Sequence, residues 1–294
     1  MKSNIILTMA AVAMMATSAL TARAQGYDRE RVRFHNEATD TVRINEVLAK
    51  AGAADLRTPG QRIAFIGRQF IGTPYVGHTL EGDQEWLTVN VDELDCTTFV
   101  ETVAALAKTV GEGRSSWRDF VYNLEQIRYR GGEMDGYGSR LHYISDWIVD
   151  NSYRGNMEDA TTMFGAYSFM VKTIDFMSQN RKNYPALADS ATFERIKGVE
   201  QGLHNHRFPY IRTRNLGSKD VRRQFRNGDM VGLTSNLKNL DVYHMGIIVL
   251  GDDGEPYLMH ASSSLGKVTV TEVPLAAFMK RNPHLTGIRV FRLK

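Results

Sequence analysis

From residue 229 onward the chain changes period. The stretches 229–234, 243–250, 257–261, 267–271 and 288–292 are short, rich in β-branched residues and separated by Gly, Asp, Asn and Ser. That is the composition of strands between turns. Gly251-Asp-Asp-Gly254 joins two of them and is a hairpin signal. Gaps this short allow antiparallel neighbours and leave no room for the crossover a parallel pair needs. Upstream the apolar spacing is helical. Phe99, Val100, Val103, Leu106, Ala107 and Val110 mark one apolar face behind Asp95, a good helix N-cap. Val42, Ile44, Val47, Leu48 and Ala51 mark another, 63–71 and 117–127 read as two more helices, and 137–151 as a short mixed segment. Residues 157–206 are polar and helical in pattern, and read as an inserted lobe. Helices first and antiparallel strands afterwards predict an α+β fold.

The first 24 residues read as a secretory signal. Lys2 supplies the positive start, 5–20 are largely apolar, and Ala22-Arg23-Ala24 is a cleavage site. The apolar run is short for a full span of ~20 residues. No later run approaches that length, so no integral membrane segment is expected after signal removal. The mature chain then begins at Gln25 and forms a single domain over 25–294, exported to the periplasm or beyond. Lys2 and Arg23 leave with the signal, which takes the net charge from +3 to +1. That is too little to draw the protein to nucleic acid or a membrane surface. Hydrophobic residues make up 43% of the chain, enough for a sizeable core.

Export gives meaning to the cysteine count, which is one. A lone Cys96 cannot form an internal disulfide, so it is either a small buried hydrophobe or a reactive thiol. It opens the predicted helix behind Asp95, where the helix dipole favours thiolate. An adjacent Asp95 opposes that unless its carboxylate caps the helix. Position alone leaves packing and chemistry open. His244 lies at the start of one predicted strand and His260 at the end of the next. With the hairpin centred near 252.5, residue 244 pairs near 261, which brings the two histidines close. A cysteine, a base and an orienting partner make a triad. One Cys and two His could instead ligate a metal, but no Cys-x-x-Cys or His-x-x-x-His spacing appears, and no metal is expected. Phosphate-loop and dinucleotide fingerprints are absent.

Five blocks occur in order: Phe70-Ile-Gly-Thr-Pro-Tyr75, Leu94-Asp-Cys96-Thr-Thr-Phe-Val100, Asn227-Gly-Asp-Met-Val231, Tyr243-His244-Met-Gly-Ile-Ile248 and Leu258-Met-His260-Ala261. Together they resemble the NlpC-type cell-wall cysteine hydrolases, a papain-like fold. The long gap between the second and third blocks departs from the common form. Glu93 to Glu101, Ser139-Arg-Leu-His-Tyr-Ile-Ser-Asp-Trp147 and Leu240-Asp-Val-Tyr-His244 further resemble the N-acetylmuramoyl-L-alanine amidase-like branch, first described as a domain of unknown function.

The resemblance implies a Cys96 nucleophile, a His244 general base and acid, and an orienting His260. Tyr75 matches the family tyrosine near the thiol. Arg140, His142, Tyr143 and Asp146 would line the cleft, unless that block is simply a helix with a solvated polar face. Thr97 stands where many relatives have Ser. The implied reaction is hydrolysis, through a thioester and without a cofactor, of the amide between muramic acid and L-alanine, in peptidoglycan or soluble muropeptides. Whether the sugar is the anhydro form is left open. Many relatives cut instead between D-Glu and the diamino acid of the stem, and a non-catalytic glycan-binding protein is the third expectation.

Overall fold

The structure, a computed structural model, describes residues 31–294; the signal read over 1–24 lies outside them. Each of the first four helices starts at a side chain that caps it. Asn36 precedes α1 (Glu37–Ala53), Thr58 precedes α2 (Pro59–Arg68), Asp95 precedes α3 (Cys96–Gly111) and Ser116 precedes α4 (Trp117–Arg128). Each accepts a backbone N–H that the helix cannot satisfy itself. Pro59 takes the first helical position, where no N–H is needed, and this starts α2 earlier than its apolar spacing alone suggests. Two three-residue strands, β1 (Val32–Phe34) and β2 (Leu87–Val89), form a small parallel pair beside these helices.

After α5 (Ile144–Tyr153) the chain enters the main sheet. Its strands are β3 (Met157–Asp159), β4 (Tyr167–Met170), β5 (Phe208–Arg212), β6 (Met230–Ser235), β7 (Val242–Leu250), β8 (Pro256–Ser262), β9 (Lys267–Val270) and β10 (Leu285–Leu293). The spatial order is β4-β5-β10-β6-β7-β8-β9, with β3 also on β10, and every pairing is antiparallel. The last strand in chain order is therefore internal, bonded to β5 and β3 on one side and β6 on the other. Helices α6 (Phe176–Gln179) and α7 (Ser190–Leu203) sit between β4 and β5 in sequence. Helices α8 (Lys219–Arg222) and α9 (Leu275–Arg281) precede β6 and β10.

Apolar alternation explains how the layers stack. Met245, Ile247 and Val249 of β7, with Met259 and Ala261 of β8, join the core under α1 to α4. Ile248 and Leu258 point the other way, into a core closed by Val221, Phe225, Leu275 and Met279. Both faces of β7 and β8 are covered, so these strands read as continuous apolar runs. Helix α3 lies at the centre of the first core, where Phe99, Val100, Val103, Leu106 and Ala107 are fully buried. Truncating Leu106 to Ala there would cost about 2–5 kcal/mol.

Two expectations change. Val42, placed on the apolar face of α1, is exposed, while Ile44, Val47, Leu48 and Ala51 are buried as expected. The stretch 157–206 is helical only in part. It begins with β3 and β4, whose three and four residues are too short to show a strand period, and α6 and α7 follow. A third apolar cluster, including Met177, Leu187, Ile196 and Leu203, packs this region against Tyr137, Tyr143 and Phe208.

Candidate functional site

The site begins at the α3 cap. Asp95 Oδ1 accepts from Thr97 N at 3.0 Å and Thr98 N at 2.8 Å, while Thr98 Oγ1 accepts from Asp95 N at 2.9 Å. This reciprocal box fixes the turn that carries Cys96. The Cys96 N–H, one of the helix's leftover donors, turns toward the residue's own sulfur. Tyr75 reaches the same place by backbone pairing. Gly72 N donates to Val268 O at 2.9 Å and Tyr75 N to Gly266 O at 2.9 Å, which lays the segment along β9. Leu94 N donates to Pro74 O at 3.0 Å, and Val76 N to Leu94 O at 3.3 Å, so Tyr75 lies two hydrogen bonds from the cap.

Cys96 is partly exposed, and its thiol sits against the Met245 amide of β7, one residue past His244. His244 and His260 are joined by an Nε2–Nδ1 hydrogen bond of 2.7 Å, with ring planes 88° apart. Phe278 of α9 closes over His260 at 5.7 Å, edge to face. Ile247 pairs with Met259, so one step along the ladder sets His260 across from Gly246. The histidines are therefore diagonal neighbours on one face, two residues off direct pairing, where the sequence put them within one. Gly246 is required beneath them: a Cβ there would lie 2.6 Å from Leu258 Cδ1 and 2.9 Å from Met259 O.

Burial sets the charge state. It pushes the Cys96 thiol up to about 12, the Asp95 carboxylate adds to that, and the Met245 backbone and Thr97 hydroxyl offset only part of it. The expected thiolate is thus not the resting form, because the cap that builds the helix start also places an anion beside the sulfur. Burial, and then His260, push His244 down to about 3; burial pushes His260 down to about 4. The pair is neutral at neutral pH and shares one proton in its bond. With that proton on His244 Nε2, its Nδ1 is left as a free acceptor. Tyr75 is raised to about 12 by burial and by Cys96, Asp95 and Tyr243, so it stays a neutral phenol.

The 139–147 block behaves differently. Arg140 is buried, with Nη2 2.9 Å from Glu81 Oε1 and Nε 3.2 Å from Glu85 Oε1, and its guanidinium lies 4.8 Å over Tyr137. Burial opposes its charge, but Glu85 and Glu81 hold it fully protonated. His142 Nε2 donates to Tyr137 O at 2.9 Å; burial and Arg140 keep the ring neutral. Tyr143 donates to Glu200 Oε1 at 2.7 Å and accepts from Met177 N at 2.9 Å, which ties α5 to α6 and α7. Asp146 is ion-paired with Arg130. Beneath them Arg128 and Glu101, both almost fully buried, pair at 2.7 Å. The structure thus gathers Tyr75, Cys96, His244 and His260. It commits Arg140, His142, Tyr143 and Asp146 to partners within the protein.

A cleft of about 180 Å³ opens over the histidine pair. Its wall includes Tyr243, Ser262, Ser264, Asn282 and His284. Tyr243 and His284 meet edge to face at 5.1 Å. Sequence reasoning missed these residues. Tyr243 carried a signal, since it adjoins His244; His284 carried none, because only the return of β10 to the sheet interior brings it here. Among the described residues no group of three or more His, Cys, Asp and Glu is arranged to hold a metal ion, and no helix is long and apolar enough to cross a membrane.

Residues 65–288 match the family described as AmiA-like, N-acetylmuramoyl-L-alanine amidase-like. Among solved structures the chain is similar to an N-acetylmuramoyl-L-alanine amidase from Bacteroides uniformis ATCC 8492. The two share 38% identity over 80% of this chain and 99% of that one, with a TM-score of 0.73. It is also similar to a Bacteroides fragilis protein that carries a provisional xylanase name, with 38% identity, coverage of 77% and 98%, and a TM-score of 0.70. A Legionella pneumophila protein at 23% identity shares the fold, with coverage of 88% and 96% and a TM-score of 0.68. No curated protein matches the chain in sequence.

Proposed function

The chain belongs to the AmiA-like, N-acetylmuramoyl-L-alanine amidase-like family, and from that premise we propose that it is a cysteine amidase of NlpC-type, papain-like design. Its substrate is the amide between the lactyl group of muramic acid and L-alanine, in peptidoglycan or in soluble muropeptides. The observation that carries the reading is the placement of the Cys96 sulfur against Met245, next to a His244 already oriented by His260.

The chemistry follows from neutral partners. As the sulfur attacks the lactyl carbonyl, its proton passes to His244 Nδ1, so the thiolate never has to persist beside Asp95. The carbonyl oxygen gains negative charge, and the Cys96 N–H at the helix start is a donor for it once the sulfur is bonded to carbon. His260 accepts from His244 Nε2–H and supports the imidazolium that forms. His244 then protonates the L-alanine nitrogen as the C–N bond breaks, leaving a thioester between Cys96 and the lactyl carbonyl. Water, deprotonated by the same histidine, attacks the thioester; the thiol returns and the free lactyl acid leaves. Tyr75, a neutral phenol beside the thiol, positions the substrate.

The export signal read over 1–24 makes the periplasm the proposed site of action, which places the enzyme with its substrate. A glycosidase needs two carboxylates flanking the sugar bond. The wall of the histidine cleft has none, which disfavours a xylanase reading for this chain.

The test is product analysis. Purified protein incubated with muropeptides should release a stem peptide beginning with L-Ala, detected by mass spectrometry, and Cys96→Ala should abolish it. Sugar carrying L-Ala-D-Glu would mark an endopeptidase instead. Tight binding without turnover, unchanged in Cys96→Ala, would mark a glycan-binding protein.

A further inference from the structure

Across Leu285 from the histidine cleft lies a second, larger groove of about 440 Å³, and Leu285 lines both. Its floor is apolar, with Met279 and Leu285 buried. Its rim carries Arg212 from the end of β5, Arg214 just beyond it, and Lys280 from the end of α9. No acidic side chain lines it, and among the described residues none of these three cations has an ion-pair partner. Arg31, Arg43, Arg128, Arg130, Arg140, Arg154, Arg289 and Arg292 all have carboxylate partners, and the chain as a whole is nearly balanced in charge. Arg212 Nε is buried with no acceptor, a donor the fold leaves unmet. Its backbone is fixed, because β5 pairs with β10 through Arg212 and Gly287, and Thr213 Oγ1 donates to Leu285 O at 3.0 Å.

The geometry points to this groove as the subsite for the acidic peptide arm of the substrate, holding its carboxylates while the amide lies at Cys96. The inference rests on the amidase reading. Guanidinium forks match carboxylates two bonds at a time, and the Lys280 ammonium adds a point charge. The apolar floor suits the aliphatic carbons between those carboxylates. In this arrangement the residues after L-alanine, each advancing ~3.3 Å when extended, cross the wall that Leu285 forms between the two grooves. The carboxylates of the leaving peptide are then held away from the nucleophile, and hydrolysis releases that peptide as a free anion.

Two measurements test this. The first is the ratio of kcat/KM for N-acetylmuramoyl-L-Ala-D-Glu-diaminopimelate over N-acetylmuramoyl-L-alanine amide, which lacks the carboxylates. Arg214→Ala/Lys280→Ala, at two exposed positions, should lower that ratio about tenfold, the size of one charge-assisted contact. Arg281→Ala, an exposed cation outside the groove, should leave it unchanged. An unchanged ratio in the double variant overturns the proposal. The second measurement needs no turnover, so it separates this inference from the amidase reading. Calorimetric titration of the Cys96→Ala protein with the free tripeptide should show affinity lost in Arg212→Gln and in the double variant. Equal affinity in all forms, or inorganic phosphate binding as tightly as the tripeptide, overturns it as a peptide site.

Discussion

Two polar clusters lie close together around α3, and burial treats them in opposite ways. Around Cys96, His244 and His260 no counter-charge is supplied, and burial drives every group to its neutral form. Around Glu101, Arg128, Arg140, Glu81 and Glu85 each charge has an opposite charge within bonding distance, so the ions survive in the interior. The lesson is that burial alone does not mark a reactive group. A cluster of unmatched neutral acids and bases has a proton to move, whereas a cluster of matched ions has only a structure to hold.

The sharpest way to break this contrast is Arg128→Met. It strands Glu101 in the core and should lower stability by about 3–5 kcal/mol in urea titration; Arg128→Met/Glu101→Leu should recover most of the loss. A double variant no better than the single would mean that the pair does not behave as a matched ion pair. On the other side of the contrast, His260→Ala should reduce kcat about 100-fold or more, with little change in KM or melting temperature. His260→Asn, whose side-chain oxygen can accept from His244 Nε2–H, should restore part of the rate. A loss confined to KM would count against an orienting role.

Acid offers a third probe. His244, His260 and His142 all have native pKa values below the ordinary 6.5. Below pH 6.5 the unfolded chain therefore binds protons that the native state refuses, and stability falls as the pH drops. Glu85, Glu101 and Asp146, whose carboxyls are raised by burial, act in the opposite sense. The histidine effect is read from pH 6.5 down to about 5, where the loss should be about 2 kcal/mol for each histidine. Alkylation of Cys96 by iodoacetamide should meanwhile keep accelerating above pH 8, as a thiol raised to about 12 requires. A plateau at neutral pH would reveal a standing thiolate–imidazolium pair. The smallest change expected is Tyr143→Phe, which costs Glu200 and Met177 a buried partner and should lower stability by about 1–2 kcal/mol while leaving kcat alone.

The same contrast shows what could be read from the sequence. Cys96 was legible because its cap, Asp95, and its apolar face are local. The β7–β8 hairpin was legible because its turn lies between the two histidines. The surroundings of the 139–147 block were not. Arg140 finds Glu81 across 59 residues and Tyr143 finds Glu200 across 57, and no local pattern announces either partner. The five-block resemblance pointed to the amidase-like family, but it could not tell a residue facing a cleft from one facing a buried carboxylate. The short strands β1 to β4 were invisible for a simpler reason: three or four residues hold too few alternations to count.

The internal position of β10 bears on how such a chain comes into being. Its partners β3, β5 and β6 are all made earlier, yet each keeps an unpaired edge until Leu285–Leu293 arrives between them. A ribosome, which makes the chain N-terminus first, therefore delivers this keystone after all three of its partners. Until then the histidine cleft, walled by His284 just ahead of that strand, is unfinished.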